Sequence, residues 1–348
     1  IKVQSLVEQG AGIRAYASDD EYRKAGAEVV SRNEIYEKAE VVLTIHTPES
    51  EYEKLKSEQV LISVINPLMN TTQVSQLTAM GKTVFSLDII PRSTRAQAMD
   101  ILSSMATISG YKAVLDAAGL LPHFFPMFMT AAGTIKPAKV LILGAGVAGL
   151  QAIATSRKLG AVVEVFDVRS AVRDEVKSLG GKFIEVEGAR EDAAAGGYAV
   201  EQTEDFKQKQ RQLIHDHAVK SDIIICTAQI PGKKAPVLLQ KETVENMRAG
   251  SVVIDLAAST GGNCEVTQDG KTIIHNGVKV VGKSDYPSDL PSDASKMFGK
   301  NVINFAKLLI TKEGALNVDF NDDIVKGTCV CHAGEIMSDR IKSIIQNK

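Results

Sequence analysis

Apolar residues fall in short runs at a steady pace along the first hundred positions. Val3–Val7, Val41–His46, Val60–Ile65 and Thr83–Ser86 read as strands. Between them lie DDEYRKAG (19–26), RNEIYEKA (32–39), ESEYEKLKSE (49–58) and TTQVSQLTAM (71–80), whose apolar positions recur at helical spacing. Strands alternating with helices predict a parallel sheet covered on its faces. From Ala96 to about Leu121 the pattern becomes helical and long, and Pro122, Pro126 and the small-residue tract TAAGTIKPAK (130–139) then interrupt it as a hinge. A second alternating block follows, with strand runs at 140–144, 162–168, 182–186, 222–228, 251–257 and 278–282. A Pro/Asp/Ser-rich turn (284–295) precedes a helical run, KMFGKNVINFAKLLITK (296–312), that returns the chain to its first block. The expected fold is α/β: two Rossmann-like, doubly wound parallel-sheet domains joined by long helices, the first of them discontinuous. Its pieces are 1–110 and 290–348, and the second domain is 111–289.

Composition narrows the function. The 348 residues are 44% hydrophobic and 24% charged, the balance of a globular protein. Forty Lys and Arg against 42 Asp and Glu leave a net charge of −2, which argues against a nucleic-acid partner. The most apolar stretch, VLILGAGVAGLQAIATS, is shorter than the ~20 residues a spanning helix needs, and its glycines suit a strand–turn–helix. Cysteine is sparse. Cys329 and Cys331 alternate about Val330 in a strand, so their side chains are expected on one face. With only His332 beside them they read as two small apolar residues, not as a metal site.

GAGVAG (144–149) carries the clearest chemistry. An apolar strand precedes it, a helix-competent run follows, and Asp167 stands 18 residues after Gly149 at the end of the next strand. Gly144, Gly146 and Gly149 allow a tight turn and close approach to a pyrophosphate, with the N–H groups of Val147 and Ala148 opening the helix toward the anion. A carboxylate at 167 accepts from both ribose hydroxyls and repels a 2′-phosphate, which favours NAD(H), although Arg169 beside Val168 is of a kind that can meet a phosphate. The segments 226–236 and 256–265 also follow strand ends, where ligands of open α/β sheets bind, so Thr227, Ala228 and Gln229 join the candidates. The acidic, small-residue segment 187–205, with Gly196, Gly197 and Tyr198, reads equally as a lid or as a surface insertion.

PRSTRAQAMDILSS (91–104) is harder to place. It crowds hydrogen-bonding groups behind a proline yet offers no evident acid, base or nucleophile. By its residues alone it reads first as a helix start, with Pro91, Ser93 and Thr94 as N-terminal signals.

Taken together, PRSTRAQAMDILSSM, MTAAGTIKPAKVLILGAGVAGLQAIAT, KSLGGKF, GGYA, TAQIPGKKAPVL and VIDLAASTGGNCE make the chain resemble the NAD(H)-binding, alpha-subunit portion of the proton-translocating NAD(P) transhydrogenases, relatives of alanine dehydrogenase. The resemblance covers nearly all of the chain. Gln229 stands where that family has leucine, and the family's opening strand and Glu/Arg-rich loop are not matched. The resemblance implies that this chain binds NADH, that a partner domain binds NADP(H), and that a membrane domain carries protons. It implies a homodimer, on the cytosolic side in bacteria or in the mitochondrial matrix (an equivalent organelle in protists). It assigns Arg92, Gln97, Asp100 and Ser103 to the nicotinamide, Tyr198 to a mobile loop and Asp167 to the ribose. Direct transfer between two nicotinamides moves no proton, which explains a site with neither acid nor base. The nearest rival, an alanine dehydrogenase, needs a histidine acid/base, and SVINPLMN (63–70), where its relatives carry one, has none. A non-catalytic NAD-sensing module is the alternative of a different class.

Overall fold

The computed structural model describes residues 2–186, 188–190, 200 and 202–346. The chain divides into two compact units, residues 1–104 with 291–348 and residues 105–290, the division falling inside the helix Ile101–Leu120.

In the first unit a five-stranded sheet runs in the order Glu335–Ile336, Cys329–His332, Thr83–Ser86, Val60–Ser63, Val41–Leu43. The last three are parallel, and the first two run antiparallel to their neighbours. Val60–Ser63 and Thr83–Ser86 are buried along their whole length, as expected of strands covered on both faces. Their side chains divide by period two. Leu61 and Val84 pack with Tyr36, Val74, Leu77 and Ile341, whereas Val60, Ile62 and Phe85 pack with Val302, Phe305 and Leu309 of the helix Pro291–Leu309. The Phe85 and Phe305 rings meet edge-on at 5.5 Å. A separate two-stranded parallel sheet pairs Leu6–Glu8 with Glu28–Val30.

The second unit holds a seven-stranded sheet in the order Lys182–Ile184, Val162–Phe166, Lys139–Leu143, Ile223–Cys226, Val252–Asp255, Val278–Gly282, Thr272–His275. All but the last are parallel. The chain begins this sheet at Lys139–Leu143, steps outward twice, then returns to the other side at Ile223–Cys226. That reversal is the switch point at which doubly wound sheets bind ligands. The expected α/β class with parallel sheets is what the chain adopts.

Several local expectations need correction. The long helix does not start at Ala96: Thr94–Met99 is a 3-10 turn, and the α-helix begins at Ile101 after Asp100 breaks the run. ESEYEKLKSE forms only a 3-10 turn, Glu49–Lys54. The tract read as a hinge contains a hairpin, Phe128–Thr130 against Gly133–Ile135. Cys329 and Cys331 do not share a face. A register shift between them places Cys329 opposite Phe85 and Cys331 opposite Val84, so each thiol enters a different core. A bulge adds a residue to one strand, and the alternation resets across it.

Candidate functional site

In the second unit each glycine of GAGVAG has its own geometric duty. Gly144 has φ +104°, and a Cβ there would sit 2.6 Å from Thr227 Oγ1, so the turn closes against the neighbouring strand end. Gly149 packs harder still: a Cβ would lie 2.0 Å from the Gly144 carbonyl oxygen. Gly146 differs, since nothing stands within 4 Å of its Cβ position. It is the N-cap of the helix Val147–Lys158 and supplies no side-chain cap, leaving first-turn N–H groups for an anion. Two glycines thus build the loop, and the third leaves open space before the helix end, a fit for a dinucleotide pyrophosphate.

Asp167, 8% exposed, lies just beyond the strand Val162–Phe166. Its Oδ2 accepts from the Ala145 N–H at 2.7 Å, tying the carboxylate to the glycine loop. Arg169 donates its backbone N–H and Nε to Oδ1, each at 2.9 Å, and Nη2 to Oδ2 at 2.7 Å. The arginine read from sequence as a possible phosphate ligand therefore lies on the acid.

The two later strand ends are welded together. Thr227 donates its hydroxyl to the Gly144 carbonyl at 2.9 Å. Asn263 takes the Ala228 N–H on Oδ1 at 2.9 Å and returns Nδ2 to the Ala228 and Pro236 carbonyls, both at 2.8 Å. Gln229 donates Nε2 to the Leu256 carbonyl at 2.9 Å, so the residue standing in place of leucine bridges the same two segments. Beneath them Asp255, fully buried at the end of Val252–Asp255, accepts from the N–H groups of Ala257, Asn263 and Cys264 and from the Thr267 hydroxyl. Burial pushes its carboxyl above the usual range, and these hydrogen bonds pull the other way. Asp255 and Asn263 escaped the sequence reading. The available signal was an aspartate closing an apolar strand before a Gly–Gly turn.

In the first unit, Asp100 caps the helix Ile101–Leu120. Its Oδ1 accepts the Ser103 N–H at 2.9 Å and its Oδ2 the Ser103 hydroxyl at 2.6 Å. The cap is therefore Asp100, not Ser93 or Thr94. Arg95 makes a bidentate pair with Asp322, at 2.6 and 2.7 Å, and also pairs with Asp323. Ala96 and Met99 are buried, while Arg92 and Gln97 are exposed. Structure thus separates the stretch into groups that hold the turn and groups that project from it. Gly197 and Tyr198 lie outside the described residues, as does most of the segment around them. Among the described residues no group of His, Cys, Asp and Glu is arranged to hold a metal, and no helix is long and apolar enough to cross a membrane.

Residues 2–109 match the family model "Alanine dehydrogenase/PNT, N-terminal domain", and residues 113–339 match "Alanine dehydrogenase/PNT, C-terminal domain". The chain is 45% identical over 342 residues to the first of the NAD(P) transhydrogenase alpha-subunit polypeptides of Rhodospirillum rubrum, covering 95% of this chain and 89% of that protein. It is 44% identical over 333 residues to NAD(P) transhydrogenase subunit alpha of Haemophilus influenzae, spanning 95% of this chain but only 65% of that longer protein. Among solved structures, transhydrogenase from Sinorhizobium meliloti superposes with a TM-score of 0.85 at 40% identity, covering 96% of this chain and 91% of that one.

Proposed function

The chain belongs to the alanine dehydrogenase/PNT family, and from that membership we propose that it is the NAD(H)-binding component of a proton-translocating NAD(P) transhydrogenase. The observation that carries this reading is the switch-point site of the second unit. Open space at Gly146, the uncapped helix end and the Asp167 carboxylate suit the pyrophosphate and ribose of a dinucleotide lacking a 2′-phosphate. The choice of transhydrogenase over its dehydrogenase relatives draws support from 45% identity to the Rhodospirillum rubrum protein. The absence of a histidine at 63–70 adds to it.

NADH supplies the hydride, and NADP+ held by a partner domain receives it. The residues of this chain then bind, orient and exclude water. Gly144, Gly146, Gly149 and the opening of the helix at Val147 and Ala148 hold the pyrophosphate. Asp167, with Val168 and Arg169 beside it, receives the ribose. Thr227, Ala228 and Gln229 line the neighbouring strand end. By the family resemblance, Gln97 and Arg92, both exposed, are assigned to the nicotinamide and its carboxamide, while Asp100 and Ser103 fix the start of the following helix. No proton changes hands in a nicotinamide-to-nicotinamide transfer, so the work of the site is to bring two C4 atoms to about 3–3.5 Å in line.

A membrane domain coupling this transfer to proton movement completes the assembly, with this chain on the cytosolic side in bacteria or in an organelle matrix. A second copy of the chain pairs with it as a homodimer. Supporting that pairing, Phe124, Met127, Phe128, Met129 and Ile135 leave an exposed apolar surface about the hairpin, with Met129 78% and Met127 58% exposed.

The discriminating assay offers purified chain either L-alanine with NAD+ or, together with a transhydrogenase NADP(H)-binding domain, NADH with an NADP+ analogue. Reduction of the analogue and none by alanine is expected. Alanine-dependent NAD+ reduction overturns the proposal in favour of a dehydrogenase, and NADH binding without either reaction favours a sensing module.

A further inference from the structure

We propose that Asn301 and Asn304 are positioning residues for the turn that carries Gln97. The inference rests on the transhydrogenase reading and concerns how that site keeps its aim.

The turn Thr94–Met99 is weak by itself. A 3-10 segment has poorer hydrogen-bond geometry than an α-helix, and the ends of this one are closed by Ala96 N–H to the Ser93 carbonyl at 3.0 Å and by Asp100 N–H to the Gln97 carbonyl at 3.3 Å. Contacts from outside reinforce it. Ala96 and Met99 sink into the core shared with Val302 and Phe305. Asn301 and Asn304 stand three apart on the helix Pro291–Leu309, so they share a face. Both donate Nδ2 to a single acceptor, the Ala98 carbonyl, at 2.9 and 3.1 Å. Gln97 is thus bracketed, its preceding residue held by packing and its following residue by two amides.

Asn301 is an expensive way to fill its place. It is 6% exposed, and its Oδ1 is buried with no hydrogen-bond partner among the described residues. An apolar residue of similar size would avoid that unpaired acceptor and serve stability better. What the apolar residue would lack is the N–H that fixes Ala98. The amide at this position supplies a directional contact to Ala98 that an apolar side chain could not make.

That contact matters because hydride transfer is sensitive to alignment. A displacement of about 1 Å can cost on the order of a hundredfold in rate. Loss of the tether lets the turn re-aim Gln97, while the dinucleotide loop folds as part of the other unit.

The test uses the whole chain reconstituted with a transhydrogenase NADP(H)-binding domain. It reads the single-turnover rate of transfer from NADH to an NADP+ analogue, the Kd for NADH and the Tm. Asn301→Ala is expected to slow transfer by roughly 10- to 100-fold with Kd changed less than about twofold. Asn301→Asp is the informative partner. Its ionised carboxylate cannot donate to Ala98, whereas its protonated form can, so its rate should climb toward wild type as pH falls, against an unchanged wild-type profile. Should Asn301→Ala fail to fold, Asn304→Ala, at a half-buried position, carries the same rate-against-Kd comparison with a smaller loss. Unimpaired transfer in these variants, an equal loss of rate and affinity, or no recovery of Asn301→Asp at low pH overturns the inference. A wild-type chain that binds NADH yet transfers nothing sinks the transhydrogenase reading, and this inference with it.

Discussion

Arg169 lies across the carboxylate of Asp167, with Nε on Oδ1 at 2.9 Å and Nη2 on Oδ2 at 2.7 Å, while the Ala145 N–H holds Oδ2 from the other side. The acid proposed to receive the ribose is therefore already engaged, and its charge is neutralised by a neighbour two residues on. A 2′-phosphate approaching this pair meets less repulsion than it would at a lone carboxylate. Replacing Arg169 with alanine is expected to sharpen discrimination, raising the ratio of the NADPH Kd to the NADH Kd by roughly tenfold, about 1.4 kcal/mol. Binding titrations with both nucleotides read it. A ratio that falls would mean that Arg169 guards against the phosphate, not that it shields the acid.

The glycines of 144–149 separate folding from binding. Gly149→Ala places a Cβ 2.0 Å from the Gly144 carbonyl oxygen, which cannot be accommodated without moving backbone. A loss of about 2–3 kcal/mol is expected, or roughly 5–10 °C in Tm. Gly146→Ala has free space around its Cβ and an ordinary φ of −77°. Its Tm without nucleotide should equal wild type, while NADH weakens by roughly tenfold or more, about 1.4 kcal/mol. Calorimetry with and without NADH distinguishes the two, and a lowered Tm without nucleotide in Gly146→Ala would show that this space is not reserved for a ligand.

The Arg95–Asp322 pair gives a stability effect with a defined pH window. The Arg95 guanidinium holds the Asp322 carboxyl below the usual carboxylate range, against partial burial, with help from the Val325 and Ile324 N–H groups. A depressed folded pKa contributes stability that is present above the unfolded value, about 4, and is lost as pH falls through the folded value. Arg95→Met keeps the stem and removes the charge. It should lower stability near pH 7, and the gap between variant and wild type should close as the pH drops below about 4. A gap unchanged at pH 3 would assign the effect to packing.

Much of this architecture is legible in the sequence because it is local. Gly144, Gly146 and Gly149 act on their own turn, and Asp167 follows its strand at the spacing the motif demands. The rest depends on partners far along the chain. Asn263 is bonded to Ala228, 35 residues away, and nothing near Asn263 announces that. Cys329 and Cys331 part because the strand opposite them, Thr83–Ser86, imposes a shifted register. Asp100 breaks a run that periodicity carries straight through, since its carboxylate prefers the Ser103 N–H and hydroxyl to a place inside a helix. In PRSTRAQAMDILSS the hydrogen-bonding groups are visible from the sequence. Which of them hold the turn, as Arg95, Asp100 and Ser103 do, and which project from it, as Gln97 does, emerges only when Asp322 and Asn301 are brought alongside.

The proposed hydride transfer runs directly from NADH on this chain to NADP+ on a partner domain. Its most direct measurement follows the label. The chain is mixed with a transhydrogenase NADP(H)-binding domain, NADP+ and NADH deuterated at the transferring C4 position, and the products are read by mass spectrometry. Deuterium recovered in NADPH, with none released to water, is the expected result. Unlabelled NADPH, or no NADPH from a chain that demonstrably binds NADH, would contradict it.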